Sequence, residues 1–369
     1  MKKNLAILPL LALLAGACTN PLDYQSGQSA SVLVMNSMLR TDETTHVIWL
    51  SNSTVDKLFV VEDAELTCYI NDEFVAKAIP VRPTKPVDEN FEEKSKYYEA
   101  GGSIATAYLL KATIKPGDKV RLVADWYDLH ASATALAPQA PVLAAVDTVR
   151  TDKSPYSSEE ATYSALLCRL RLEDRPGESN WYRLCVSYEA DGKDGVGTPE
   201  ESPAHWQGGM PFSYYKDEIL NDGFRTPDDD KAMSSLFDLL SGHIYSKYCI
   251  FSDKAFADRT ADVEINIFDD YLSRPWLVGA WEEDKEITRL RLKFDLLSLP
   301  YEEYHHLWSL TNAQNTGLDW SILSEPVRLP DNVQGGLGLV TISTVSSLTL
   351  DPVPVKELES KILPEAIEN

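Results

Sequence analysis

A thiol stands near the start of the chain where a lipid could be attached. Ala15-Gly16-Ala17-Cys18 follows an apolar run from Leu5 to Leu14, which is itself preceded by Lys2 and Lys3. A basic start, a short apolar stretch and small residues before the cut are the order of a secretory signal, and the run is too short to span a bilayer. Small residues directly before a cysteine fit the bacterial lipobox. There the cysteine sulfur is diacylated, the preceding peptide is removed and the new amino terminus is acylated. Residues 1–17 are therefore expected to be the leader and Cys18 the lipidated first residue. An ordinary cleaved signal, whose sites resemble A-x-A, is the alternative. Several acyl chains, at about 0.8 kcal/mol per buried methylene, anchor stably where one chain is marginal.

Other residue types that could do chemistry lack the companions it needs. Six histidines, at 46, 130, 205, 243, 305 and 306, show no metal-ligand spacing such as H-E-x-x-H. His305 and His306 are adjacent on an expected helix, project about 100° apart and cannot easily share an ion. Ser213-Tyr214-Tyr215-Lys216 matches S-x-x-K without its partner motifs, and neither a G-x-S-x-G elbow nor a glycine-rich phosphate loop occurs. Asp228-Asp229-Asp230 lacks a calcium loop and suits a helix start. Asp147-Thr148-Val149 is a three-residue match to a glycosylation acceptor, short enough to arise by chance. No cofactor, metal or catalytic residue is expected. An envelope hydrolase working through Asp253 or His205 is the least favoured reading.

Cys68, Cys168, Cys185 and Cys249 remain, and four cysteines allow three pairings. Cys68 and Cys168 alternate in phase with apolar neighbours, whereas Cys185 shares a face with Trp181 and Arg183. A Cys168–Cys185 bridge is thereby disfavoured and free structural thiols are expected.

The residues with most to offer a ligand lie in the insertion 189–247. His205, Trp206, Phe212, Tyr214 and Tyr215 are interleaved there with Gly208, Gly209 and Pro211. Aromatic groups on a long insertion can stack on a glycan or anchor a peptide or protein partner. They could equally cap a core.

These residues need a scaffold, and composition bounds it. The apolar fraction of 44 % is ordinary for a globular chain, and 369 residues suggest two domains. A formal net charge of −23 opposes docking on phosphate backbones, so nucleic acid is not an expected partner. Residues 18–30 read as an acylated tether rich in turn formers. From 31 to 137 short alternating strands, with turns at Asn71-Asp72 and Pro116-Gly117-Asp118, predict an immunoglobulin-like β-sandwich. Ala137-Pro138-Gln139-Ala140-Pro141-Val142 is the boundary. Residues 143–350 predict a larger β-rich domain with two short helices. Its clearest hairpin runs Leu166 to Leu172, turns at 174–178 and returns through Trp181 to Tyr188. One helix opens at Asp228; the other spans Tyr301 to Gln314 with Tyr304, Leu307, Trp308 and Thr311 facing inward. Residues 351–369 read as a mobile tail.

Four phrases stand in order across this second block. They are Asp174-Arg175-Pro176-Gly177-Glu178-Ser179-Asn180-Trp181-Tyr182-Arg183, then Phe251-Ser252-Asp253-Lys254-Ala255-Phe256, then Glu303-Tyr304-His305-His306-Leu307-Trp308. Last comes Glu325-Pro326-Val327 with Asn332-Val333-Gln334-Gly335-Gly336-Leu337-Gly338. With the lipobox they resemble Bacteroidetes-type outer-membrane lipoproteins of unknown function, often encoded beside TonB-dependent transporters. Asp258 stands where that pattern usually has glycine. The resemblance implies a surface-exposed outer-membrane location and an accessory or binding role beside such a transporter. It supplies no catalytic residue. A structural or adhesive surface protein is the competing expectation.

Overall fold

The computed structural model describes residues 31–53, 58–81, 105–155, 157, 162–194, 202–214, 216–221, 248–273, 285–315 and 329–353. Cys18, the tether, Tyr215, the helix expected from Asp228 and residues 354–369 lie outside them. The described chain is mainly β, as expected.

Alternating burial builds the N-terminal part from β1 (Val32–Arg40), β2 (Thr45–Ser53), β3 (Leu58–Val60), β4 (Glu65–Ile70), β5 (Glu73–Lys77), β6 (Ile79–Pro80), β7 (Thr106–Lys111), β8 (Lys119–Trp126) and β9 (Leu129–Leu136). Asn71 and Asp72, both at positive φ, make the tight turn between β4 and β5. The second part holds β10 (Val142–Thr151), β11 (Ala165–Glu173), β12 (Trp181–Asp194), β13 (Pro203–Gly209), β14 (Ile250–Ser252), β15 (Thr260–Phe268) and β16 (Lys285–Leu299). It also holds helices α1 (Asp269–Ser273) and α2 (Tyr301–Asn315), followed by β17 (Val333–Gln334) and β18 (Val340–Leu350).

One ten-stranded sheet runs through both parts in the order β13-β12-β16-β18-β1-β2-β7-β6, with β14 beside β12 and β3 beside β2. Two smaller sheets, β17-β9-β8-β4-β5 and β10-β11-β15, complete two sandwiches with it. Leu33, Met35, Tyr108 and Leu122 lie in the first core; Cys168, Tyr182, Phe251 and Phe294 lie in the second. A fully buried side chain of this size stabilises by roughly 1.5–3 kcal/mol.

β18 serves both cores. It pairs parallel to β1 (Ser37 opposite Val340) and antiparallel to β16 (Leu297 opposite Val345). Its Val340 and Ile342 enter the first core, and its Leu348 and Leu350 pack against the second. With period-two facing these four share one face, so both cores lie on the same side of the large sheet. The opposite face is covered at its centre by α2, where Leu307 meets Ile250, Leu297 and Leu299. The boundary at 137–142 therefore separates two cores, but the chain returns at 333–342 to finish the first one.

The expected hairpin from Leu166 to Tyr188 does not form. β11 pairs with β10 and β15, whereas β12 pairs with β13, β14 and β16. Residues 174–180 are an arch between facing sheets, so Leu170 and Leu184 approach one core from opposite sides. Apolar alternation marks inward faces equally for paired and for facing strands. On α2 the deepest positions are Glu303, Leu307, Ser309 and Thr311, with Tyr304 and Trp308 only half-buried beside them. Asp351 to Val353 continue from β18 alongside β16 and are not a tail: Asp351 pairs with Arg289 at 2.6 Å and Val353 N donates to Leu290 O.

Candidate functional site

The arch at 174–180 is built to be rigid. Asp174 Oδ1 accepts from Tyr182 OH (2.9 Å) and Asn180 Nδ2 (3.1 Å), and its Oδ2 accepts from the Asp258 amide (2.9 Å). Asp258 Oδ1 in turn accepts from Gly177 N at 2.9 Å. Asp258 has φ +58°, so the loop keeps the left-handed turn that glycine would take freely, with a carboxylate bond added. Asp253, 5 % exposed, accepts from the Asn180 amide at 2.6 Å. Arg175 crosses from the arch to the inter-sandwich segment, donating to Gln139 O, Ala140 O, Asn180 Oδ1 and Ser298 Oγ.

Beside that arch, at the seam of the sandwiches, lies a groove of roughly 750 Å³. Its wall includes Thr134 to Gln139 from the first sandwich and Arg175, Glu178, Ser179, Asn180 and Trp181 from the arch. Ser298 to Pro300 and Glu302 precede and begin α2, and Asn332 and Thr341 form part of the floor. Two of the ordered phrases, those at 174–183 and 332–338, thus contribute to one concavity. From Trp181 an aromatic strip runs along α2: Trp181 lies 5.1 Å from Tyr301 and 6.5 Å from Tyr304, Tyr301 stacks on His305 at 5.7 Å, and His305 stacks on Trp308 at 6.1 Å.

Beneath α2 the charges are buried. Glu303, 2 % exposed, accepts from Ser343 Oγ at 2.8 and 2.9 Å, and burial raises its pKa in spite of those bonds. A raised folded-state value means that the native protein holds this proton more tightly than the unfolded chain. The carboxylate thus detracts from stability increasingly as pH climbs from about 4.5 through the folded value. Glu303→Gln is expected to raise Tm by about 2 °C at neutral pH, with the gain vanishing in scans below the ordinary glutamate range. A lower Tm at neutral pH would show that the ionised group is needed.

The residues expected to meet a ligand lie elsewhere. Trp206 and Phe212 are partly buried against the second core, and Tyr214 is 5 % exposed within it. His205 is exposed on β13 with Nδ1 2.7 Å from Asp191. Tyr215 is outside the described residues. Trp181, Tyr301 and His305 were not singled out from the sequence as contacts. The phrases holding Trp181 and His305 stood out, and Tyr301 opened an expected helix, but nothing in them said that a strand start and a helix 120 residues later would meet.

Cys68, Cys168, Cys185 and Cys249 are free. Burial pushes the thiol pKa of Cys68 up to about 11 and that of Cys168 to about 12, which keeps both protonated and inert. Among the described residues no group of three His, Cys, Asp or Glu is placed to hold a metal ion, and no helix is long and apolar enough to cross a membrane.

The fold and groove define a double β-sandwich built on one shared sheet, with a concave, aromatic-edged seam. Over residues 19–349 the sequence matches the family described as "Domain of unknown function (DUF4249)", and the chain belongs to it. No curated protein matches it.

Proposed function

We propose that this protein is a surface-exposed outer-membrane lipoprotein, anchored through Cys18, that acts as a non-enzymatic binding or accessory component of a TonB-dependent uptake system. The observation that carries the binding role is the use made of the polar groups at the seam. Asp174, Arg175, Asn180 and Asp253 are committed to holding the arch, and the groove beside them offers shape and surface in place of an activated nucleophile. The anchor rests on the lipobox, and the family match begins at Thr19, directly after it. A structural or adhesive role draws on the continuous sheet, which makes the two sandwiches one stiff body.

Two measurements test the reading. Metabolic labelling with palmitate is expected to mark the wild-type chain and to leave Cys18→Ser unlabelled and released from the membrane fraction. A pull-down from native outer membranes is expected to recover a TonB-dependent transporter. A labelled chain that brings down no transporter would move the assignment to the adhesive role. An unlabelled, freely dissolved chain would end the lipoprotein reading.

A further inference from the structure

The chemistry of the seam groove narrows the class of ligand, given the binding role proposed above. A peptide added as an extra strand along residues 137–140 of the wall would find their carbonyls already engaged. Ala137 N donates to Asp118 O (2.8 Å), Ala137 O accepts from Gly117 N (3.0 Å), Pro138 O accepts from Thr344 Oγ1 (2.6 Å), and the next two carbonyls are held by Arg175. An anion would meet Glu178 and Glu302 on a chain of charge −23, while the guanidinium of Arg175 is already engaged. A wholly apolar ligand would strand the polar side chains of Thr134, Gln139, Ser179 and Glu302. What remains is a molecule with many hydroxyls and one apolar face.

Trp181 supplies the matching surface. It is half-buried, and Tyr301 and Tyr304 hold it at interplanar angles of 56° and 37°, so neither lies flat upon its indole. We propose that the seam groove binds a neutral oligosaccharide, with one pyranose ring lying on Trp181 and its hydroxyls meeting Glu302, Ser179 and Gln139. The groove volume lies within the range of small-ligand sites. The aromatic strip along α2 gives a longer chain a path out past Tyr301, which is half exposed.

The test uses the full chain in a detergent without a sugar headgroup, titrated with maltohexaose, cellohexaose, xylohexaose and mannohexaose. Binding is read by tryptophan fluorescence and calorimetry. At least one hexasaccharide is expected to saturate, with affinity unchanged by added salt. Trp181→Ala should weaken it about 30-fold. Trp181→Phe should retain most of it, and the exposed Glu302→Gln, which leaves the packing intact, should weaken it about 5-fold. The inference is overturned if none of the four saturates below about 10 mM. It is equally overturned if binding survives both Trp181→Ala and Glu302→Gln, or if the only ligands are charged and displaced by salt. A transporter recovered in the pull-down alongside failed sugar titrations would sink this inference alone and leave the accessory role standing.

Discussion

Gly338→Ala is expected to lose about 3–5 kcal/mol of stability, a large share of the 5–15 kcal/mol typical of a folded protein. Gly338 has φ +119°, a region that L side chains rarely enter, and strain of that kind contributes about 1–3 kcal/mol. A Cβ there would stand 2.2 Å from Met35 O and 2.9 Å from Asn36 Oδ1. Neither neighbour can retreat. Asn36 Oδ1 accepts from Leu339 N at 3.0 Å, and Met35 N donates to Leu337 O at 2.9 Å. Overpacking adds a further 1–3 kcal/mol, roughly. Gly209→Ala is the matched control, because nothing lies within 4 Å of its Cβ position, and it should shift the urea midpoint little. A Gly338→Ala midpoint as close to wild type as that of the control would mean that the entry into β18 is not under the constraint described.

The reason so much rests on that entry is the role of β18. A parallel pair needs a long connection, and here nearly the whole chain separates β1 from its partner. The first sandwich is therefore unfinished until its last two strands arrive, and the same β18 then carries Leu348 and Leu350 to the other core. Damage at Gly338 reaches both sandwiches. A ligand in the seam likewise touches both, since its walls come from β9, the arch and the start of α2.

Much of this was legible in the sequence and some was not, for reasons visible in particular residues. Alternation located β8, β11 and β12 because their buried residues recur at period two. The same alternation could not say which strands pair. Leu170 and Leu184 look alike whether they are bonded neighbours or face each other across a core, so an arch was read as a hairpin. Glu303 defeated the reading of α2, since a carboxylate at an inward position is legible only once Ser343 is known to lie beneath it. The groove was least legible of all. Its parts come from several distant stretches, whereas the aromatic insertion that drew attention sends Tyr214 into the core.

Arg175→Ala is the second substitution expected to have a large effect, about 3 kcal/mol. One planar guanidinium serves two carbonyls of the inter-sandwich segment, the Asn180 amide oxygen and Ser298 Oγ, and hydrogen bonds from charged groups contribute about 1.5–3 kcal/mol each when their partners are left unsatisfied. The estimate stays low because the Gln139 and Ala140 carbonyls lie on an exposed segment where water can replace the donor. Loss of Arg175 should also free the arch locally. Asn180 N and Asp253 N, which bond reciprocally between the arch and the turn after β14, should exchange with solvent faster than the amides of β12. Arg175→Lys should recover less than half of the lost stability, because a compact ammonium cannot reach acceptors spread across a planar fork. If lysine restores the protein fully, charge alone matters at this position. If alanine leaves both the urea midpoint and the Asn180 exchange rate unchanged, Arg175 does not tie the two sandwiches together, and the rigidity assigned to the groove wall has another source.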